Sequence, residues 1–278
     1  MTLAQTHQQE IESGERFSFG ENWSRFLMLL DEERVKQAER SLCQMLGVDS
    51  LVGKTFLDIG SGSGLFSLAA RRLGAKVFSF DYDPKSVACG LELRRRYFDG
   101  DADWTIQEGS VLDEQYLERL GKFDVVYSWG VLHHTGKMWD ALENAAALVA
   151  DGGKLFIALY NDQGVQSRVW WWIKKAYVTL PPGLRWVVVI PCYIPLRAPM
   201  FIKGLLRGNP FKPFRTYKSL RGMSLNRDLV DWVGGFPFEV AKPIDVTRFY
   251  EQRGFVSTKT VTVGAKLGCN EFVFRRKT

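Results

Sequence analysis

Three glycines alternating with serines behind an acid, Asp58-Ile59-Gly60-Ser61-Gly62-Ser63-Gly64, are the residues of this chain best spaced to hold a ligand. The apolar run Phe56-Leu57 leads into them and a helical pattern starts at Leu65-Phe66, so the stretch reads as strand, tight turn and helix start. Glycine suits a backbone that turns sharply or lies against a ligand. The helix start behind it offers free N–H groups and a partial positive charge. The order Asp-x-Gly-x-Gly-x-Gly is not the G-x-G-x-x-G of a dinucleotide-phosphate turn, because Leu65 follows Gly64, and no Gly-Lys-Ser/Thr of a P-loop is present. A second acid, Asp81, ends the apolar run Val77-Phe78-Ser79-Phe80. That is about where a ribose-binding carboxylate sits in a doubly wound sheet.

Stepping outward, Tyr82-Asp83-Pro84 opens a helix, with Pro84 suited to its first position. Glu108-Gly109-Ser110-Val111-Leu112-Asp113 follows, and then Phe123-Asp124-Val125-Val126-Tyr127-Ser128-Trp129-Gly130-Val131-Leu132-His133-His134-Thr135, a strand and its loop. Strands are expected at Thr55–Ile59, Lys76–Asp81, Trp104–Gln107, Phe123–Ser128 and Lys154–Tyr160, with the turn Asp151-Gly152-Gly153 before the fifth. Helices lie between them: one carries Leu65, Phe66, Leu68, Ala69, Ala70 and Leu73, one runs from Pro84 towards Tyr97, and one carries Met138, Leu142, Ala145, Leu148 and Val149. Strict alternation of strand and helix means a mostly parallel sheet covered on both faces. A helix at Pro243–Arg253 and strands at Phe255–Val263 and Asn270–Arg276 close the chain.

Over roughly residues 54–160 this series resembles the class I S-adenosylmethionine-dependent methyltransferases, of the bacterial small-molecule type. The resemblance implies a seven-stranded α/β sheet, Rossmann-like and mostly parallel, with a terminal antiparallel strand. It divides the chain into an N-terminal helical cap (1–53) and a methyltransferase domain (54–278) with an inserted basic, aromatic lid at about 163–235. It implies S-adenosylmethionine as cofactor and S-adenosylhomocysteine as product. On that pattern Gly60 and Gly62 let the amino-acid part of the cofactor lie on the backbone, and Asp58 orders that loop or the ammonium. Asp81 takes the ribose hydroxyls and Tyr82 lies against the adenine, whose edge is read around Ser110, Val111 and Leu112. Many members carry Asp where this chain has Ser110; Asp113 stands three residues on. Ser128 and Trp129 end the fourth strand at the same crevice, with Trp129 a candidate pocket wall. Trp23 stacks near the sulfonium or adenine, or is a core aromatic.

Methyl transfer needs an acceptor held in line at about 3–3.5 Å, a proximity effect. For a hydroxyl acceptor a base adds roughly 10²–10⁴-fold. Of three histidines, His7 falls in residues 1–14, a polar stretch read as mobile, whereas His133 and His134 lie in the loop that faces the methyl in this fold. One of the pair is the candidate base, the other reading being a cap or packing role. Neighbours are expected to point in different directions, so at most one does chemistry. Tyr160, with Asn161 and Asp162, is a further candidate at the acceptor. No metal-ligand cluster is discernible.

The chain has 278 residues, 46% of them hydrophobic, and a net charge of +6. Its four widely spaced cysteines make no C-x-x-C pair, which reads as a reduced, cytoplasmic protein. Neither a signal peptide nor a spanning segment is expected. The charge is uneven: between Gln163 and Arg227 there are twelve Lys and Arg and no Asp or Glu, so the rest of the chain is net negative. Trp170-Trp171-Trp172, Tyr177, Trp186, Tyr193, Phe201, Phe211, Phe214 and Tyr217 are interleaved with these cations, and prolines interrupt them. Four readings stand for this segment. It is a lid that also touches an anionic membrane surface or a lipid-like acceptor, a soluble lid, an RNA-binding face, or a self-association surface. A recognised RNA module is lacking, which disfavours nucleic acid. The functional expectation is methyl transfer to a small, apolar acceptor, most simply at oxygen. The alternatives are an RNA methyltransferase and a non-catalytic S-adenosylmethionine-binding protein; oligomeric state is not specified.

Overall fold

The computed structural model describes residues 2–209 and 225–278. Three helices come first, α1 (Leu3–Glu12), α2 (Gly20–Phe26) and α3 (Glu32–Leu46). The alternating part follows as β1 (Thr55–Ile59), α4 (Leu65–Arg72), β2 (Lys76–Asp81), α5 (Pro84–Tyr97), β3 (Trp104–Glu108), α6 (Glu114–Glu118), β4 (Phe123–Trp129), α7 (Met138–Ala147) and β5 (Val149–Tyr160). Then come α8 (Val165–Thr179), α9 (Trp186–Leu206), α10 (Leu225–Gly234), α11 (Pro243–Glu251), β6 (Phe255–Val261) and β7 (Cys269–Arg276). The sheet has seven strands in the order β3-β2-β1-β4-β5-β7-β6, and β7 runs antiparallel to both its neighbours. This is the class I methyltransferase sheet expected from the sequence.

Alternation along the strands explains the two layers. Leu57, Val126, Leu155, Ile157 and Phe272 face a core shared with α7 and α11. Phe56, Val125, Tyr127, Phe156 and Val273 face the opposite core, shared with α3, α4 and α5. A third cluster, of Phe17, Trp170, Tyr177, Leu229, Val233, Phe236 and Phe238, sits under α8, α9 and α10. The strand order reverses between β1 and β4, and such a switch point opens a crevice outside the carboxyl ends of the strands.

Three local expectations are corrected. Residues 1–14 are not a loose lead-in: Thr2 and Gln5 form a capping box that starts α1, and His7 is buried. β5 begins at Val149, so Asp151-Gly152-Gly153 lies within the strand rather than before it. Pro191, Pro195 and Pro199 do not break the chain, because α9 runs through all three for 21 residues. At intervals of four, the missing N–H groups fall along one side of the helix and leave the other ladders intact. Lys212, Arg215, Lys218, Arg221, Phe211, Phe214 and Tyr217, singled out in the basic segment, lie outside the described residues.

The βα turn needs glycine for a specific reason. Gly64 has φ of +80°, and a Cβ there would lie 3.0 Å from the Gly90 backbone in α5. Gly121 has φ of +76° with open space around it. Gly64→Ala is therefore expected to lose about 2–4 kcal/mol in urea unfolding, from left-handed strain plus overpacking. Gly121→Ala is expected to lose only the strain, about 1–2 kcal/mol.

Candidate functional site

The glycine turn is fastened from the next strand. Gly60 and Ser61 donate their amides to the Phe80 carbonyl, at 2.9 and 3.2 Å. Gly62 donates to the Asp81 carboxylate at 2.8 Å, and the other Asp81 oxygen accepts from the Asp83 amide at 2.9 Å. A carboxylate offers about four lone-pair sites, so two acceptor positions are left for a pair of hydroxyls. Gly60 and Gly62 both have positive φ. A Cβ on Gly60 would collide with Val131, 2.3 Å away, and one on Gly62 would press on the Trp23 indole at 3.1 Å. The loop is thus held between the β4–α7 connection and α2. Within it the Ser61 hydroxyl is buried and has no hydrogen-bond partner among the described residues.

Asp58 is buried beneath the loop and accepts a 2.6 Å hydrogen bond from the Ser67 hydroxyl. Burial pushes its carboxyl up to about 7, and the nearby Asp81 charge acts in the same direction. Burial likewise raises Asp81 to about 6, against the pull of its two amide donors. Tyr82 lies between His7 of α1, edge-on at 5.3 Å, and the Arg16 guanidinium, 4.8 Å over its ring. Burial pushes its phenol up to about 12. Asp83 is buried and accepts from the Gly20 and Lys85 amides, with His7 Nε2 3.6 Å away.

In the loop after β3, the Ser110 hydroxyl accepts from the Leu112 amide, and the Val111 carbonyl accepts from the Asn144 side chain. Asp113 caps α6, accepting the Tyr116 amide at 3.0 Å. Its carboxylate is thus engaged in a local turn. Ser128 is buried and donates to the Ile59 carbonyl, which ties β4 to β1. Trp129 is 44% exposed, and its indole donates to Glu271 of β7.

His133 and His134 occupy a buried 3-10 turn just past β4. The expectation that they diverge is corrected: their rings are 4.4 Å apart, and both meet Tyr160 at the end of β5, at 4.0 and 5.3 Å. Fully regular helix geometry would separate them, but both side chains fold back onto the same aromatic ring. His134 Nδ1 is 2.6 Å from the Pro237 carbonyl. A carbonyl only accepts, so Nδ1 carries the proton and Nε2 is the basic nitrogen. Burial pushes His134 down to about 3 and His133 well below the ordinary range. Both are therefore neutral imidazoles.

A family model described as a methyltransferase domain matches residues 30–183, more than half of the chain. The chain belongs to this methyltransferase family. Its similarity to the ubiquinone biosynthesis O-methyltransferase of Xanthomonas oryzae pv. oryzae is 32% identity over 115 residues, covering 40% of this chain and 45% of that protein. The corresponding enzyme of Xanthomonas axonopodis pv. citri is 31% identical over 109 residues, 39% of this chain and 44% of that one. The matched stretch thus spans less than half the length of these curated relatives. Among solved structures, the magnesium protoporphyrin IX methyltransferase of Synechocystis aligns with a TM-score of 0.52 and 15% identity, over 87% of this chain and 83% of that one. The N-methyltransferase NodS of Bradyrhizobium japonicum aligns with a TM-score of 0.52 and 15% identity, over 94% and 100%. At such identity the structural likeness shows the fold.

The methyltransferase sheet brings together Asp58, Gly60, Gly62, Asp81 and Trp23 around one turn, and His133, His134 and Tyr160 in one cluster. Sequence reasoning missed Arg16, which lies over Tyr82 and also donates to the His134 carbonyl at 3.1 Å. It also missed Lys174, buried among aromatic rings. A signal for Lys174 exists: Trp170, Lys174, Tyr177 and Val178 share one helical face of α8, and that face is buried.

The raised Asp58 carboxyl has a measurable consequence in the methyltransferase. Its folded form holds a proton that the unfolded form, titrating near 3.9, releases. Asp58 thus contributes stability that is present below about pH 4 and lost as pH rises through about 7, at about 1.4 kcal/mol per unit. The buried neutral histidines contribute the opposite slope below about pH 6.5. The difference between wild type and Asp58→Asn therefore isolates the carboxyl: urea unfolding at about pH 5 and about pH 7 should show the variant gaining on wild type as pH rises.

Proposed function

We propose that this methyltransferase uses S-adenosylmethionine to methylate a small, apolar acceptor, most simply at a hydroxyl. The observation that carries the reading is the pairing of a carboxylate-fastened glycine turn with a neutral histidine cluster, joined where Val131 packs on Gly60. The buried Ser61 hydroxyl without a partner and the cradle at Gly62 fit a polar amino-acid moiety laid on the backbone. The open lone pairs of Asp81 fit two ribose hydroxyls. Trp23 offers a face on the adenine side, Tyr82 borders it with Arg16 over its ring, and Ser110, Val111 and Leu112 bound it. Asp58 and Ser128 set the strand ends from below, and Trp129 stands at the rim.

When bound, S-adenosylmethionine supplies a methyl already activated on sulfonium, whose bonding pair stays on sulfur as S-adenosylhomocysteine is left. The chain's part is to position and to move one proton. His134 is the candidate base: its Nδ1–H is fixed on the Pro237 carbonyl, leaving the lone pair on Nε2, and because burial holds it down to about 3 the hydroxyl proton is transferred only as the methyl bond forms. His133 and Tyr160 pack beside it and exclude water.

The face that α8 and α9 turn outward supports delivery from a lipid surface. Trp172, Trp186, Ile190, Phe201, Ile202, Leu205 and Leu206 are exposed, Leu206 at 83%. So many exposed large apolar side chains on two neighbouring helices favour an interaction site. Every formal charge within the surrounding segment is positive. An apolar stripe with cations and no acids fits an anionic bilayer, with rings and stems at headgroup level. No helix among the described residues is long and apolar enough to cross a membrane, so the proposed attachment is peripheral, on the cytoplasmic side.

Two measurements test these statements. In calorimetric titration with S-adenosylhomocysteine, Asp81→Ala should lose roughly 10- to 100-fold in affinity, while His134→Ala stays near wild type but loses roughly 10²–10⁴-fold in turnover of a quinol acceptor. Unchanged affinity in Asp81→Ala would overturn the donor site. In sedimentation with phosphatidylglycerol vesicles, wild type should bind in a salt-sensitive way and survive a tRNA competitor, and Ile190→Glu/Leu206→Glu should not bind. Capture by tRNA without vesicle binding would favour an RNA acceptor instead.

A further inference from the structure

Arg16 touches both sides of the switch point. In the strand order β2-β1-β4, Tyr82 follows β2, the His134 turn follows β4, and the glycine turn of β1 lies between them. Neighbouring strands stand about 4.8 Å apart, so the outer two are separated by about 10 Å. The Arg16 guanidinium lies 4.8 Å from the centre of the Tyr82 ring, and its Nη1 donates to the His134 carbonyl at 3.1 Å. One side chain thus reaches from the β2 end to the β4 end, across the strand that carries the glycine turn.

A third contact holds the guanidinium from behind. Its Nε donates to Glu10 Oε2 at 2.5 Å, and Glu10 also accepts from the Tyr82 phenol. The Arg16 and Glu10 side chains are 17% and 27% exposed, so the pair is screened less than a surface pair. The residues that follow run along the histidine half. The Phe17 amide donates to the Phe236 carbonyl at 2.9 Å, and the Phe19 ring lies 4.9 Å from that of His134. A guanidinium is planar, with its N–H directions fixed. A tilt of that plane over Tyr82 therefore swings Nη1–H away from the His134 carbonyl, and a hydrogen bond weakens steeply off axis.

We propose that Arg16 is a positioning residue that carries occupancy of the glycine turn to the turn holding His134. This rests on the S-adenosylmethionine reading, in which the ligand lies on Gly60 and Gly62 and borders Tyr82. A ligand there fixes the Tyr82 ring, Tyr82 fixes the guanidinium plane, and the guanidinium holds the His134 carbonyl. The candidate base is thereby set when the cofactor site is filled. A competing route runs through Val131, which packs on Gly60 and whose carbonyl accepts the His134 amide at 2.8 Å.

The test is hydrogen exchange of the amides of residues 131–135 in the full chain, without and with saturating S-adenosylhomocysteine. The His134 amide is bonded within the turn, so its exchange reports how often the turn opens. In wild type the ligand should slow this exchange roughly 10-fold or more. In Arg16→Gln the ratio of the two rates should fall to about twofold or less, whereas Val131→Ala should keep most of it. Arg16→Lys keeps the charge without the planar fork and should restore only part. A merely structural role would speed exchange alike in both states and leave the ratio unchanged. An unchanged ratio in Arg16→Gln, its loss in Val131→Ala alone, or a wild type that binds the ligand with no slowing would overturn the proposal. Should Arg16→Gln fail to fold, Glu10→Gln, which releases the guanidinium from behind, decides in its place: the ratio should fall, and an unchanged ratio overturns the proposal. A wild type that does not bind S-adenosylhomocysteine in calorimetry would instead remove the methyl-transfer reading beneath it.

Discussion

One carboxylate, that of Asp81, holds two chain reversals at once. One oxygen takes the Gly62 amide and the other takes the Asp83 amide, so the turn after β1 and the turn after β2 are locked to each other. Asp83 extends the relay, since its own carboxylate takes the Gly20 amide that starts α2 and the Lys85 amide that starts α5. The N-terminal helices are thereby fastened to the sheet through two acids in sequence. Trp23 of that pinned helix stands against Gly62. The energetic tension is that a half-buried acid is asked to stay charged in a place that favours its neutral form.

Much of this was legible in the chain. The spacing from Asp58 to Gly64, the acid at the end of β2 and the regular alternation of apolar runs with helical patterns set the sheet, because each rests on local backbone rules. What was not legible depends on contacts far apart in sequence. His7 read as part of a mobile stretch because α1 is polar along most of its length; its burial comes from Tyr82 and Asp83, which lie some seventy-five residues on. The convergence of His133 and His134 depends on Tyr160 and Pro237, which no neighbour rule supplies. Lys174 sat among too many other cations for its inward register to stand out, although the buried aromatic face around it carried the information.

The glycine-turn half and the histidine half of the proposed site are also not independent. Arg16 lies over Tyr82 and donates to the His134 carbonyl, and the same short stretch leads through Phe17 into the aromatic cluster beneath α8 and α10. A shift of the segment between α1 and α2 therefore moves the surroundings of both halves together. Rigid packing transmits such shifts because close-packed interiors do not deform continuously.

The three prolines of α9 carry a consequence beyond the helix's continuity. A proline has no amide hydrogen, so the carbonyls of Val187, Pro191 and Pro195, four residues before Pro191, Pro195 and Pro199, receive no ladder bond from them. These three oxygens form a hydrophilic seam along a helix that is otherwise greasy. Hydrocarbon offers no donor to such a seam, whereas water and headgroups do. If α9 lies on a lipid surface as proposed above, this seam has to turn toward water and headgroups, which fixes how the helix would be rolled there.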